Sequence, residues 1–312
     1  MKPSYHVLKV TVSAKESIEQ MGTKLKFWLM DARTRKLWLF KYGRKTTGED
    51  WSEKIAAEVA EALEIPHAVT ELGVCEGCRG ILSLDFTEQG SRGSLVHGNE
   101  LLAAIISNYP KDQKFRASQH TVANIVRAID LPDVGVPPGV PAGIATPVDL
   151  FLGYLMLDAL IGNTDRHHEN WGLLVKAAPD SLGHAELAPT FDHASSLGRE
   201  LSEDAKQNWL TGSHGKDIGI YARRGRARSA VYASSDDPRP LTTLDAFLSL
   251  AKMRPSAYAT WRDRLAMLLD DRLYEIVHRV PKEFMSPVSK EFAFRLLVCN
   301  KTRVVEASIE TK

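Results

Sequence analysis

The sequence predicts an α+β chain of two unlike parts: residues 1–86, strand-rich with one helix, and residues 87–312, mainly helical. Three observations carry this. The first part holds short β-prone apolar runs at 5–12, 25–30, 36–41, 69–74 and 80–86, parted by polar or glycine-containing turns. Among them, residues 50–63 place Ile55, Val59 and Leu63 at four-residue spacing, which marks an amphipathic helix. From about residue 97 onward the apolar residues recur at helical period, punctuated by cap residues and prolines.

Taken in order, the runs at 25–30 and 36–41 flank the polar stretch Asp31-Ala32-Arg33-Thr34-Arg35 and read as a hairpin. Pro66 follows the helix over 50–63, and Glu76-Gly77 makes a turn before the strand at 80–86. Asn99-Glu100 opens a helix at 101–107 that Pro110 stops. Ser118 precedes another at 122–129, which ends before Pro132. Residues 132–147 hold five prolines and read as a loop. Thr146-Pro147 gives a cap and a first-turn proline to a nearly all-apolar helix at 148–160, a composition that predicts burial. Residues 171–175 and 185–187 read as a hairpin. Helices near 243–253, 256–280 (a span long enough to be broken) and 287–305 close the chain.

Bulk properties narrow the function classes. The 312 residues carry 40 basic and 39 acidic side chains, a net charge of +1 that gives no bulk reason for a nucleic-acid or membrane partner. The N-terminus has no apolar signal region, no run of about 18 apolar residues predicts a membrane span, and three cysteines do not make a disulfide framework. These features predict a cytoplasmic protein.

The chemistry gathers around Asp165 and Asn170, just past the apolar helix. Phosphoryl transfer needs a carboxylate to orient the attacking hydroxyl and a nearby oxygen ligand for Mg²⁺. The Asp-x-x-x-x-Asn spacing supplies both and is that of protein-kinase catalytic loops. A hairpin after it would bring Asp192 beside Asn170, giving Mg²⁺ the one or two hard oxygen ligands it usually takes from a protein. Lys41 ends an apolar strand and can reach the α- and β-phosphates of ATP. Its acidic partner would be Glu53 or Glu58, which stand roughly 140° apart on a helix, so both can hardly face it. The segment from Ser17 to Lys24, with Gly22, Thr23 and Lys24, suits a loop whose N–H groups cover phosphates.

Together these residues resemble the HipA-like serine/threonine kinases, including the shorter HipT-type toxins. Their Asn-x-Asp-x-His-x-x-Asn stretch is Asn163-Thr164-Asp165-Arg166-His167-His168-Glu169-Asn170 here, and their later magnesium motif is Pro189-Thr190-Phe191-Asp192. Asn-Thr-Asp-Arg followed by Asn170-Trp171 is also similar to phosphatidylinositol kinases, which share the fold. The resemblance implies a two-lobed protein-kinase-like fold with ATP bound between lobes. It implies Asp165 as catalytic base, Asn170 and Asp192 on Mg²⁺, Lys41 on ATP phosphates, and Leu84-Asp85-Phe86 as the hinge that touches adenine. It further implies a protein substrate, possible examples being an aminoacyl-tRNA synthetase or another translation factor, and a small antitoxin partner. HipT-type toxins autophosphorylate at a Ser-hydrophobic-Ser motif. Here that motif is Ser17-Ile18-Glu19, which makes Ser17 the phosphorylation candidate and Glu19 a permanent negative charge.

Several features have plainer readings. His167 is expected to brace the catalytic loop rather than bind metal, since His168-Glu169-Asn170-Trp171-Gly172 is not His-Glu-x-x-His. Cys75 and Cys78 read as ordinary thiols at a turn. Arg223, Arg224, Arg226 and Arg228 form the densest basic cluster, a candidate patch for an anionic substrate. Rival readings are a phosphoinositide or small-molecule kinase with the same ATP site, a metal-dependent phosphohydrolase using His167, Asp165, Asp192 and His193, and a catalytically silent kinase fold that acts as a binding module.

Overall fold

The computed structural model describes residues 2–11, 15–18, 25–178, 181–223 and 228–309. Strands β1 (Val7–Val10), β2 (Lys15–Ile18), β3 (Lys26–Met30), β4 (Leu37–Tyr42), β5 (Thr70–Cys75) and β6 (Cys78–Leu84) form one sheet in the order β1-β5-β6-β4-β3-β2. Only β1 and β5 run parallel. The β3–β4 turn forms because the Asp31 carboxylate accepts the N–H groups of Arg33 (2.8 Å) and Thr34 (3.2 Å), the usual role of aspartate in turns. The β5–β6 turn is Glu76-Gly77, both at positive φ (48° and 76°), the twist that two-residue hairpins favour.

The register of this sheet decides what each face does. Lys26 lies opposite Lys41, Trp28 opposite Leu39 and Met30 opposite Leu37 on one face, while Phe27 opposite Phe40 and Leu29 opposite Trp38 fall on the other. The second face closes over a small aromatic core of Phe27, Phe40, Leu82, Val10 and Cys75. On the first face, helix α1 (Glu49–Ala62) covers β5 and β6, burying Ile55 and Val59 in the main core with Leu72 and Ile81. Over β3 and β4 that face stays open to a cleft.

Part of the segment expected to be a phosphate-covering loop is a strand instead. Ser17 belongs to β2 and pairs with Trp28 of β3. The run is too short and polar to carry a readable alternation. Gly22, Thr23 and Lys24 lie outside the described residues.

The second part begins with β7 (Ser94–His97), α2 (Gly98–Ile105), α3 (Val122–Ile129) and β8 (Val134–Gly135). Helix α4 (Pro147–Ile161), β9 (Gly172–Ala178) and β10 (Ser181–Leu187) follow, and the strands form a sheet in the order β7-β9-β10-β8. The proline-rich loop therefore contributes a two-residue strand, parallel to β10. Every residue of α4 is buried, as its composition predicts. Thr146 and Asp149 close a capping box at its start, and Gly162 in the left-handed conformation (φ 67°) ends it. Helices α5 (Glu203–Thr211), α6 (Ile218–Arg223), α7 (Thr243–Ala251), α8 (Pro255–Met267), α9 (Asp270–His278) and α10 (Pro287–Glu306) follow; α7, α8 and α10 pack on α4, and α5, α6 and α9 pack on α10. The span 256–280 is two helices, since Leu268 and Leu269 are extended and Asp270 and Asp271 favour a new N-terminus. Among the described residues, no helix is long and apolar enough to cross a membrane.

Candidate active site

A cleft of about 790 Å³ lies beneath the open face of β3 and β4. Trp28, Leu37 and Leu39 line it from the sheet, and Leu95, Phe191 and Ala194 line it from the opposite side. Leu84, Asp85 and Phe86 run along one edge. The Leu84 and Asp85 N–H groups bond to the carbonyls of Val69 and Leu37, and the Asp85 carboxylate accepts from the Thr87 hydroxyl (2.6 Å) and N–H (2.9 Å). Phe86 stacks loosely on Phe191, ring centroids 5.5 Å apart. The Phe86 N–H has no partner among the described residues. A flat, apolar slot with an unpaired backbone donor at its edge suits a heteroaromatic ring.

The polar end is assembled by the segment that leaves α4. Asp158, on the last turn of that helix, is buried and holds Arg166, which is wholly buried, through two hydrogen bonds of 2.8 Å. Arg166 also donates to the Asn170 carbonyl at 2.7 Å, and Asn163 donates to Asp158 at 2.8 Å. The Asn163 carbonyl oxygen Oδ1 accepts the Asp165 N–H at 3.1 Å. Asn170 Nδ2 donates to the Asp165 carbonyl at 2.6 Å, which turns Asn170 Oδ1 the other way. The buried ion pair thus fixes the loop that presents Asp165 and Asn170 to the cleft. His167 accepts the Glu169 N–H on Nδ1 at 3.1 Å and lies 3.8 Å from the Asp165 carboxylate through Nε2. Burial drives its pKa down to about 4, so the ring is neutral at pH 7.

Asp192 reaches the same cleft from the other side. Pairing through the Pro66 and Thr190 carbonyls, which accept from Thr190 N–H and Ala68 N–H at 2.9 Å, anchors the segment before it. Asp192 itself has φ 60°, a conformation that costs a non-glycine residue energy and recurs at ligand sites. Its Oδ1 lies 3.2 Å from Lys41 Nζ. Burial opposes the Lys41 charge most strongly, but Asp192 and then Glu53 outweigh it and raise the Lys41 pKa.

Neither helix glutamate is the ion-pair partner of Lys41. Glu53 faces His193 Nδ1 at 3.7 Å and contributes to Lys41 only through its field. Glu58 lies on another face of α1, paired with Lys54 (2.9 Å) and Arg279 (3.6 Å). His193 Nε2 also bonds to Thr190 (2.8 Å), so both ring nitrogens face partners other than Asp165. The arginine cluster does not form one patch among the described residues. Arg223 ends α6, Arg228 donates to the Pro240 carbonyl at 2.6 Å, and Arg224 and Arg226 lie outside them.

A second polar group in the cleft was not foreseen. Glu49, at the start of α1, accepts from Arg199 (2.7 Å) and Arg44 (3.1 Å). Arg199 donates to Ser195 Oγ at 2.9 Å, and Ser195 Oγ lies 3.4 Å from Asp165 Oδ2. Mg²⁺ prefers a few hard oxygens in octahedral array. The directed Asn170 Oδ1 and the Asp192 carboxylate, 38% exposed in the cleft, fit that preference.

The model of the HipA-like C-terminal domain matches residues 9–237 of this chain. Among solved structures, the chain is similar to the Helicobacter pylori proinflammatory kinase CtkA, with a TM-score of 0.70 and 23% identity, covering 97% of this chain and all of that one. It is also similar to HipA of Shewanella oneidensis MR-1, determined with HipB and operator DNA, with a TM-score of 0.52 and 10% identity over 94% of this chain and 68% of that one. None of the curated protein sequences matches. The likeness to these structures establishes the two-lobed kinase-like fold.

Proposed function

The chain belongs to the HipA-like C-terminal domain family, and from that premise we propose that it is an ATP-dependent serine/threonine protein kinase. The observation that carries this reading is the meeting of Lys41, Asp165, Asn170 and Asp192 in one cleft whose other end is apolar and flat. Adenine lies against Leu39, Leu95 and Phe191 with the Phe86 N–H at its edge. Lys41 takes the α- and β-phosphates. Asn170 and Asp192 would hold Mg²⁺, which supplies charge neutralisation on the phosphates when bound. The Asp165 carboxylate orients the acceptor hydroxyl for in-line attack and receives its proton. Its backbone is pinned on both sides by Asn163 and Asn170, so the reacting groups are held rather than searched for.

In this reading the protein acts as a toxin on a translation-related protein such as an aminoacyl-tRNA synthetase, is neutralised by a small antitoxin, and autophosphorylates at Ser17. The support is the family and the fold shared with a HipA that is found with HipB.

The test is incubation with γ-labelled ATP and Mg²⁺. Label on the protein or on an added synthetase is expected for wild type. Asp165→Asn should lower transfer by about 10²–10⁴-fold, the range for losing a positioned acid or base, and Asp192→Asn, which takes a carboxylate from the Mg²⁺ site, should also lower it by orders of magnitude, both with unchanged unfolding curves. Near-normal transfer in either variant would sink the assignment.

A further inference from the structure

Residues 109–120, a loop with no role in the reading above, lie along the candidate catalytic segment 167–171 and join it by four contacts. The Tyr109 hydroxyl meets His168 Nδ1 at 2.7 Å, and Lys114 pairs with Glu169 at 2.6 Å. The Phe115 ring stands edge-on to the His167 ring, centroids 6.2 Å apart, and the Trp171 indole N–H donates to His120 Nε2 at 3.0 Å. Gln113 Nε2 donates to the Phe115 carbonyl at 2.8 Å, which holds the backbone at that point. Arg116, the next residue, has φ 64°, a conformation that persists in non-glycine residues where the surroundings determine it.

On this closely held loop the Phe115 ring is 67% exposed. Among the described residues, none of the other exposed large apolar side chains lines the cleft, and Phe115 does. Its edge contact with His167 leaves most of the ring uncovered, and the Tyr109, Lys114 and His120 contacts hold the loop without it. Folding therefore gives no reason for an aromatic residue here. The slot assigned to adenine has its own ring contact, Phe86 on Phe191. Phe115 faces the other end: His167, which its ring meets, lies 3.8 Å through Nε2 from the Asp165 carboxylate. The ring is thus within about three residues of that carboxylate along an extended chain, at ~3.3 Å per residue.

We propose that Phe115 determines acceptor specificity, its ring receiving an apolar side chain of the polypeptide that is phosphorylated, within a few residues of the hydroxyl that Asp165 orients. This rests on the kinase reading and deepens it by giving the acceptor a chemistry. An aromatic ring with few rotatable bonds, on a loop tied to the catalytic segment, gives up little conformational freedom when it is covered. The loop and the segment that carries Asp165 are joined, so an apolar residue seated on Phe115 sets the distance from the acceptor hydroxyl to the carboxylate. The inference predicts a dependence on the residues flanking the acceptor, which a ring serving only the loop would not produce.

The experiment gives the full-length protein γ-labelled ATP, Mg²⁺ and two synthetic peptides that differ only around a single central serine. One carries leucine two residues to either side, the other glutamate. Wild type should label the leucine peptide faster, by about tenfold or more at low peptide concentration, the scale of one well-placed aromatic contact. Phe115→Ala should lose roughly that factor on the leucine peptide and with it the preference, while KM for ATP stays within about twofold. Phe115→Leu should keep most of the preference. The ring is exposed, so the unfolding midpoint of Phe115→Ala should match that of wild type. Equal use of the two peptides by wild type, an unchanged preference in Phe115→Ala, a KM for ATP that rises as the peptide rate falls, or a lowered midpoint would each overturn the role of Phe115 while the kinase reading stands. The same holds if wild type labels itself but neither peptide. If wild type labels nothing, the kinase reading and the inference fall together.

Discussion

Replacing Arg166 by Met tests what holds the candidate catalytic loop. Arg166 is fully buried, and its guanidinium makes two 2.8 Å bonds to Asp158 and one of 2.7 Å to the Asn170 carbonyl. Methionine fills much of the volume, so the loss is chiefly electrostatic. The Asp158 carboxylate stays buried with only the Asn163 amide donating to it. Removing one partner of such a pair costs about 3–5 kcal/mol, a large share of the ~5–15 kcal/mol that stabilises a typical domain. With a urea m-value of about 2–3 kcal/mol/M, the unfolding midpoint should drop by roughly 1–2 M. The companion is Asp158→Leu in the same chain, which removes the orphaned charge. Replacing both members of a buried pair by apolar residues is often neutral, so the double variant should regain at least half of the lost stability. Phosphoryl transfer should stay low in both, because neither restores the bond that holds the Asn170 carbonyl. A double variant no more stable than Arg166→Met would refute the view that the pair acts through a compensated buried charge.

Other predictions follow from the same geometry. His120, His167 and His168 are buried, and burial pushes their pKa values down to about 3, 4 and 4. Each is depressed below the ordinary value near 6.5, so the unfolded chain binds more protons below that pH. The stability they allow is complete above about pH 6.5 and is lost as pH falls toward 4. Urea midpoints measured from pH 7.5 to 4.5 should decline steadily below 6.5, and a flat profile would contradict the burial argument. Glu49→Gln should leave the fold intact but lower phosphoryl transfer by roughly tenfold, since Arg199 loses the charge that sets its approach to Ser195. Unchanged transfer in a radiometric assay would remove Glu49 from the site.

The sequence made the two acidic motifs legible because each is local. Asp165 and Asn170 are four intervening residues apart, and the hairpin before Asp192 is written in two short apolar runs. What supports them was not legible. Asp158 sits inside an apolar helix whose other acid, Asp149, is accounted for by the cap, and its partner Arg166 is visible only once the helix end turns back. The Glu49–Arg199 contact spans 150 positions, beyond any periodicity. Helical phase separates Glu53 from Glu58 but does not say which face looks at Lys41. The answer came from Lys54 and Arg279, which claim Glu58. The strand that holds Ser17 is hard to see in the sequence because it is four residues long and polar, and among the described strands its one neighbour is β3.

The ion pair between Lys41 and Asp192 has a consequence for how the cleft would fill. Both groups are candidates for the nucleotide: the lysine for phosphates, the carboxylate for Mg²⁺. They satisfy one another at 3.2 Å, with Lys41 largely buried and Asp192 partly exposed in the cleft. Under the proposed reading, loading the site exchanges partners, with Lys41 turning to phosphate oxygens and Asp192 to Mg²⁺. In that reading one ion pair is replaced by two, Lys41 with phosphate and Asp192 with Mg²⁺, and the exchange involves both the sheet that carries Lys41 and the segment that carries Asp192. Helix α1 is tied to that segment through Ser52, whose hydroxyl lies 2.8 Å from Ser196 Oγ, and through Glu49 to Arg199. Ser196 follows Asp192 by four residues on that segment, and Arg199 and Ser195 continue the contacts to Asp165. The carboxylate that would orient the acceptor is thus hydrogen-bonded, through Ser195 and Arg199, to the segment that also carries Asp192.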